Sequence, residues 1–90
     1  MPSYLVETYL PRGDACRRSV RERRARSAAE EQTRKGTRVR FDGSIYVPED
    51  EICFFSFEAP SGADVALVAQ RAGLDGFRVV EADSSGKENP

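Results

Sequence analysis

The amino-acid sequence predicts an α+β fold: a four-stranded antiparallel sheet with two helices on one of its faces. Three observations carry that expectation. Asp50–Ala59, DEICFFSFEA, is a short apolar run with three Phe, one Ile and one Cys, bounded by Pro48 and Pro60; these are the marks of a buried central strand. Ala15–Lys35 has no Pro or Gly and is full of Ala, Arg and Glu, all good helix formers. Apolar segments and helical segments follow one another as strand, helix, strand, strand, helix, strand.

Taken in order, Ser3–Leu10 (SYLVETYL) alternates and is rich in Tyr, Val, Leu and Thr, which reads as the first strand. Pro11, Arg12 and Gly13 supply turn chemistry, and Asp14 is placed to cap the first helix. That helix, Ala15–Lys35, has a poor apolar stripe: Cys16, Val20, Ser27 and Ala28, with Arg24 in the same sector. It is expected to lie on the sheet through small residues and the aliphatic stems of Arg, and to end at Gly36.

Thr37–Val47 (TRVRFDGSIYV) reads as the second strand, interrupted at Asp42 and Gly43 as a bulge or kink would interrupt it. Pro48, Glu49 and Asp50 turn the chain into the central strand, so these two strands form a hairpin. Ser61 and Asp64 fit a capping box in its weaker Asp form. The second helix follows over Gly62–Ala72, with Val65, Val68, Ala69 and Ala72 on one face and Gly73 at its C-terminal end. Phe77–Ala82 (FRVVEA) is the last strand, and Ser84–Pro90 (SSGKENP) a loose polar tail. One domain over residues 1–83 and a tail over 84–90 are therefore expected.

This order is the split βαβ, or ferredoxin-like, arrangement. It sets the first and third strands side by side, expected to be parallel, at the centre of the sheet. Both crossovers prefer the same hand, so both helices cover one face. Cys53, Phe55 and Phe57 make an apolar side of the central strand. Ile52, Phe54, Ser56 and Glu58 make a mixed side, which joins Leu5, Glu7 and Tyr9 of the first strand on the open face. A monomer would expose these aromatics as a patch of the kind that marks an interface. A dimer formed sheet to sheet, of the dimeric α/β-barrel type, is the expected assembly. A lone subunit with a ligand groove is the alternative.

Ninety residues make a domain that is often marginal alone, and dimerisation is a common remedy. The net charge of −1 hides an asymmetry: up to Tyr46 there are eleven basic and six acidic residues, and from Val47 onward three basic and nine acidic. Opposite halves can attract each other or a second copy. No apolar run approaches the ~20 residues of a membrane span. The N-terminus lacks a basic region followed by an apolar core, so no signal peptide is expected, and two cysteines without secretory context read as reduced thiols in the cytosol.

The absence of His removes Ser-His-Asp and Cys-His catalysis and the commonest transition-metal ligand. The seven glycines form neither GxGxxG nor a Walker motif. Glu7 and Glu58 fall on the two central strands and can share the open face; between sheets a carboxylate can act as acid, base or hard metal ligand. At strand ends each would instead sit in water or pair with Arg. Tyr4, Tyr9 and Tyr46 are packing residues or pocket lining. Cys53 reads as a core thiol. Cys16, beside Arg17 in the first turn of a helix, reads as a small residue under it or as a thiol of lowered pKa. Arg17, Arg18, Arg21, Arg23, Arg24 and Arg26 spread around the first helix at 100° per residue, with Arg18–Glu22 and Arg26–Glu30 placed to pair. That pattern, with a sequence pI near 5.5, reads as a solvated face and not as a nucleic-acid site.

Tyr4-Leu5-Val6-Glu7, the block Glu51 to Ser61 with its Glu58-Ala59-Pro60-Ser61, and Arg71-Ala72-Gly73-Leu74 followed by Val79-Val80-Glu81 resemble a family of small bacterial proteins, long listed as a domain of unknown function, that includes a nickel-binding member. The resemblance spans residues 3 to 83. It implies a ferredoxin-like α+β fold and a dimer whose sheets meet. The family's nickel site relies on His with carboxylates. This chain has no His, so that site is not carried over; Glu7 and Glu58 alone would hold a hard cation weakly.

The leading functional reading is a non-enzymatic, dimeric binding module that holds a small molecule, or less readily a cation, near Glu7, Tyr9, Phe54, Ser56 and Glu58. No cofactor, no dedicated metal site, no nucleic acid and no membrane are expected as partners. A cofactor-independent oxygenase, cyclase or isomerase using Glu58 or Glu7 as base is one alternative, by fold-level analogy. A protein-interaction module using the Arg-rich helix or the sheet edge is the other.

Overall fold

The computed structural model describes residues 1–74 and 76–83. Its elements are β1 (Ser3–Tyr9), α1 (Arg18–Arg34), β2 (Arg40–Val47), β3 (Ile52–Glu58), α2 (Gly62–Arg71) and β4 (Arg78–Ala82), with a 3-10 segment over Arg12–Arg17. The four strands form one sheet in the order β2-β3-β1-β4. All three pairings are antiparallel. The expected α+β, ferredoxin-like arrangement is present. The expectation of a parallel β1–β3 pair is corrected: α1 returns the chain to a strand parallel to β1, and the hairpin then reverses it, so β3 must oppose both neighbours. The expected tail over Ser84–Pro90 lies outside the described residues.

The core lies between the sheet and the helices. Cys53, Phe55 and Phe57 of β3 and Val6 of β1 are fully buried, packed with Val65, Val68 and Ala69 of α2 and Ala25, Ala28 and Ala29 of α1. Thr8 shares this buried side and donates its hydroxyl to the Cys53 carbonyl at 2.9 Å. Phe41 closes the β2 end, its ring centroid 5.3 Å from that of Phe57. The expected interruption of β2 is a register shift between Phe41 and Gly43, made possible by Gly43 at φ 123°.

Both helices end in the same way. After α2, Leu74 N–H donates to Ala69 O and Gly73 N–H to Gln70 O, with Gly73 at φ 75°; this is a Schellman cap. After α1, Thr37 N–H donates to Gln32 O and Gly36 N–H to Thr33 O. At the start of α2, the Ser61 hydroxyl oxygen accepts from Asp64 N–H. The Asp64 carboxylate takes the Ser61 hydroxyl proton at 2.8 Å, where a full capping box would take the backbone N–H.

The start of α1 differs from expectation. Asp14 makes no side-chain cap; it lies inside the 3-10 segment with non-helical dihedrals, and the regular helix begins at Arg18. The buried stripe is Ala25, Ala28 and Ala29, while Cys16, Val20, Arg24 and Ser27 are exposed. The expectation that α1 lies on the sheet through small residues is met by Ala25, Ala28 and Ala29, of which only Ala28 belongs to the expected stripe.

Candidate functional site

With α1 and α2 on one side of the sheet, the opposite side is a grid read from the strand registers. Across β2-β3-β1-β4, its rows are Arg40–Glu58–Ser3–Ala82, Gly43–Ser56–Leu5–Val80, Ile45–Phe54–Glu7–Arg78, and Val47–Ile52–Tyr9. The five residues singled out from sequence, Glu7, Tyr9, Phe54, Ser56 and Glu58, all stand on this grid. None of its members is fully buried, and Ile45 and Tyr9 are well exposed. Ile45, Val47, Ile52 and Phe54 form a contiguous apolar block at one corner. Sequence alternation on β1 and β3 reveals half of this surface. Ile45 and Val47 depend on the bulge at Asp42, which switches the side on which the rest of β2 points.

The two carboxylates do not meet. Glu7 pairs across the strands with Phe54, whereas Glu58 pairs with Ser3, four residues away along β3 or roughly 13 Å. Each has its own arginine. Arg78 Nε lies 3.9 Å from Glu7 Oε1. Arg40 Nη2 lies 3.1 Å from Glu58 Oε1, and Arg40 Nε donates to Asp42 at 2.7 Å. Among the described residues, no group of three or more His, Cys, Asp or Glu comes together to hold a metal ion.

At one end of the grid, Glu7, Tyr9, Ile52, Gly76 and Arg78 line a cleft of about 210 Å³. Sequence reasoning did not find Glu51, which organises this end. Its Oε1 accepts the Tyr9 hydroxyl at 3.2 Å and its Oε2 the Arg12 N–H at 2.9 Å. The Arg12 N–H bond, aided by Tyr9 and the Arg12 guanidinium, holds the Glu51 carboxyl below the usual glutamate range. The neighbouring Glu51 charge and hydrogen bond push the Tyr9 phenol up. The missed signal is slight: a Glu directly after Pro48-Glu49-Asp50 looks like ordinary turn polarity.

On the helix side, Arg18 donates from Nε to the Ser44 hydroxyl and from Nη2 to the Ser44 carbonyl, each at 2.9 Å, and Ser44 in turn donates to Glu22. Arg18 and Glu22 thus meet through Ser44, in place of the expected direct pair. Arg26 lies 5.3 Å over the Phe41 ring, with no ion pair to Glu30 among the described residues. Tyr46 is a packing residue whose hydroxyl donates to Leu10 O at 2.9 Å. Both cysteines are free: Cys53 is buried and Cys16 exposed, and burial pushes the Cys53 thiol up. Among the described residues no helix is long and apolar enough to cross a membrane. Comparison with protein-family models, with curated proteins and with solved structures returns no match for this chain.

Proposed function

We propose that this chain is a non-enzymatic binding module that works as a homodimer, with a second copy seated on the open side of the sheet. The observation that carries the reading is the composition of that grid. Its apolar block, Ile45, Val47, Ile52 and Phe54, lies uncovered by either helix, and its four charges cancel: Arg40 and Arg78 against Glu7 and Glu58. A neutral surface of this kind meets its own copy without the like-charge penalty of a one-signed face. The small ligand belongs at the Glu7–Tyr9–Arg78 end, where a polar molecule with both donors and acceptors matches a carboxylate, a phenol and a guanidinium.

The open side of the sheet bounds the size of the contact. Four strands ~4.8 Å apart and four outward rows ~6.6 Å apart give a flat footprint of roughly 500 Å² per copy. Interface area alone does not fix affinity, so the dimer is tested by its concentration dependence. Native mass spectrometry across a concentration series tests the reading. The expected result is a dimer that builds up with concentration, is lost in Ile45→Lys, and gains no mass on addition of nickel. Wild-type protein that stays monomeric at high concentration, or an Ile45→Lys variant that dimerises equally well, would sink the proposal.

A further inference from the structure

The helix side carries a second surface of different chemistry. Arg17, the residue that leads into α1, and Arg21 and Arg24 of α1 are spaced i, i+4 and i+7, which brings them to one side of the helix start. With Val20 and Gly73 they line a cleft of about 450 Å³ between the start of α1 and the turn after α2. Arg24 spans it: its Nη1 lies 3.8 Å from where a Cβ on Gly73 would stand. Arg24 also lines an adjoining cleft with Arg23, Glu31 and Arg71. The carboxylate there, Glu31, is already 3.5 Å from Lys35.

Three arginines elsewhere are ion-paired, Arg18 is held by Ser44 and Arg26 lies over Phe41, while Arg23, Arg34 and Arg38 have no carboxylate partner among the described residues. Arg12 faces Glu51, Arg40 faces Asp42 and Glu58, and Arg78 faces Glu7. Among the described residues, no carboxylate lies within ion-pairing distance of Arg17, Arg21, Arg24 or Arg71. Arg21 is held in place by donating from Nη1 to Tyr9 O at 3.1 Å, its only side-chain hydrogen bond among the described residues. Like charges one helical turn apart repel, and a bound anion relieves that repulsion.

We propose that this cleft binds a small organic phosphate. Guanidinium forks match phosphate oxygens in bidentate fashion. Val20, 38% exposed among them, offers an apolar contact to the organic portion, and the volume lies in the range of small-molecule sites. The absence of aromatic residues from α1 removes the stacking platform that a single-stranded nucleic acid uses. The surface is on the opposite side of the sheet from the proposed dimer contact and does not depend on it.

The test is a titration of the full chain at physiological ionic strength, followed by NMR of the arginine Nε–H resonances. The probes are ribose 5-phosphate, inorganic phosphate and, as a control, sodium chloride at matched ionic strength. The expected result is saturable shifts at Arg17, Arg21 and Arg24 with ribose 5-phosphate, tighter than with inorganic phosphate, and none at Arg40 or Arg78. Arg24→Gln, at an exposed helix position and verified as folded by circular dichroism, is expected to weaken binding about tenfold or more; Ile45→Lys is expected to leave it unchanged. Non-saturating shifts shared by all arginines, equal affinity for the two phosphates, unchanged binding in Arg24→Gln, or tighter binding of a single-stranded oligonucleotide would each overturn the proposal.

Discussion

Glu51 is the only non-glycine residue at positive φ among those described, at 55°, a conformation that costs an L-residue roughly 1–2 kcal/mol. Its own groups offset the cost. The carbonyl accepts Leu10 N–H at 2.7 Å, and the carboxylate takes Tyr9 and the Arg12 backbone. The pH dependence follows from the two shifts. A lowered Glu51 pKa contributes stability that is whole above the unfolded value of about 4.3 and is lost as pH falls through the folded value. A raised Tyr9 pKa contributes stability that is whole below about 10 and is lost as pH rises through the folded value. The stability difference between wild type and Glu51→Gln, followed by urea unfolding, is therefore expected to be largest between about pH 5 and 9 and to shrink on either side. A difference independent of pH would mean that the carboxylate is not the strap. The two sides of β3 give a second contrast. Phe55→Ala, at a fully buried position, is expected to cost about 3–5 kcal/mol. Phe54→Ala, on the half-exposed side, should cost well under half as much. Equal losses in chemical denaturation would contradict the assignment of sides.

At the scale of elements, the two glycine caps make a controlled comparison. Gly36 at φ 112° and Gly73 at φ 75° need the left-handed region, and neither has crowding that would by itself exclude a Cβ. Ala at either position is expected to destabilise by about 1 kcal/mol through backbone strain alone. Gly13 has no such φ and open space around it, so Gly13→Ala is expected to be neutral or stabilising by up to about 1 kcal/mol. Thermal unfolding of the three variants checks this ordering. These caps, the β2 bulge and the sided pattern of β3 were legible in the sequence because each rests on a local rule: a glycine where φ is positive, or strict alternation where one side is buried. α1 was legible as a helix, but neither its start at Arg18 nor its phase was. Its buried residues are three alanines, and an Ala-rich helix carries almost no amphipathic signal, so the exposed Cys16, Val20 and Ser27 pulled the expected stripe aside and only its Ala28 is buried. The candidate site was legible as a side of the sheet and not as a set of contacts. Alternation puts Glu7 and Glu58 on one side, but only the register reveals that they stand four positions apart along the strands, with an arginine beside each.

At the scale of the whole molecule, the charge asymmetry of the sequence is resolved by the two-layer build. The basic first half supplies the 3-10 segment and α1, whose Arg17, Arg21 and Arg24, without an ion pair among the described residues, collect on the helix side. The sheet side draws one basic residue from β2 and one from β4, and balances them with Glu58 and Glu7. One side of the molecule is thus suited to an anion and the other to a neutral, apolar partner, and the sheet and core between them keep the two apart. That separation has a thermodynamic consequence. If a second copy covers the sheet, folding is linked to association by mass action, and the unfolding midpoint must rise with protein concentration. Calorimetry over a hundredfold concentration range is expected to show this rise for wild type and a flat midpoint for Ile45→Lys. Arg24→Gln should retain the wild-type slope, because it lies on the other side. A flat wild-type profile would leave Ile45, Val47, Ile52 and Phe54 as a tolerated patch on a monomer. A slope abolished by Arg24→Gln would instead place the self-contact on the helices and reverse the roles assigned to the two sides.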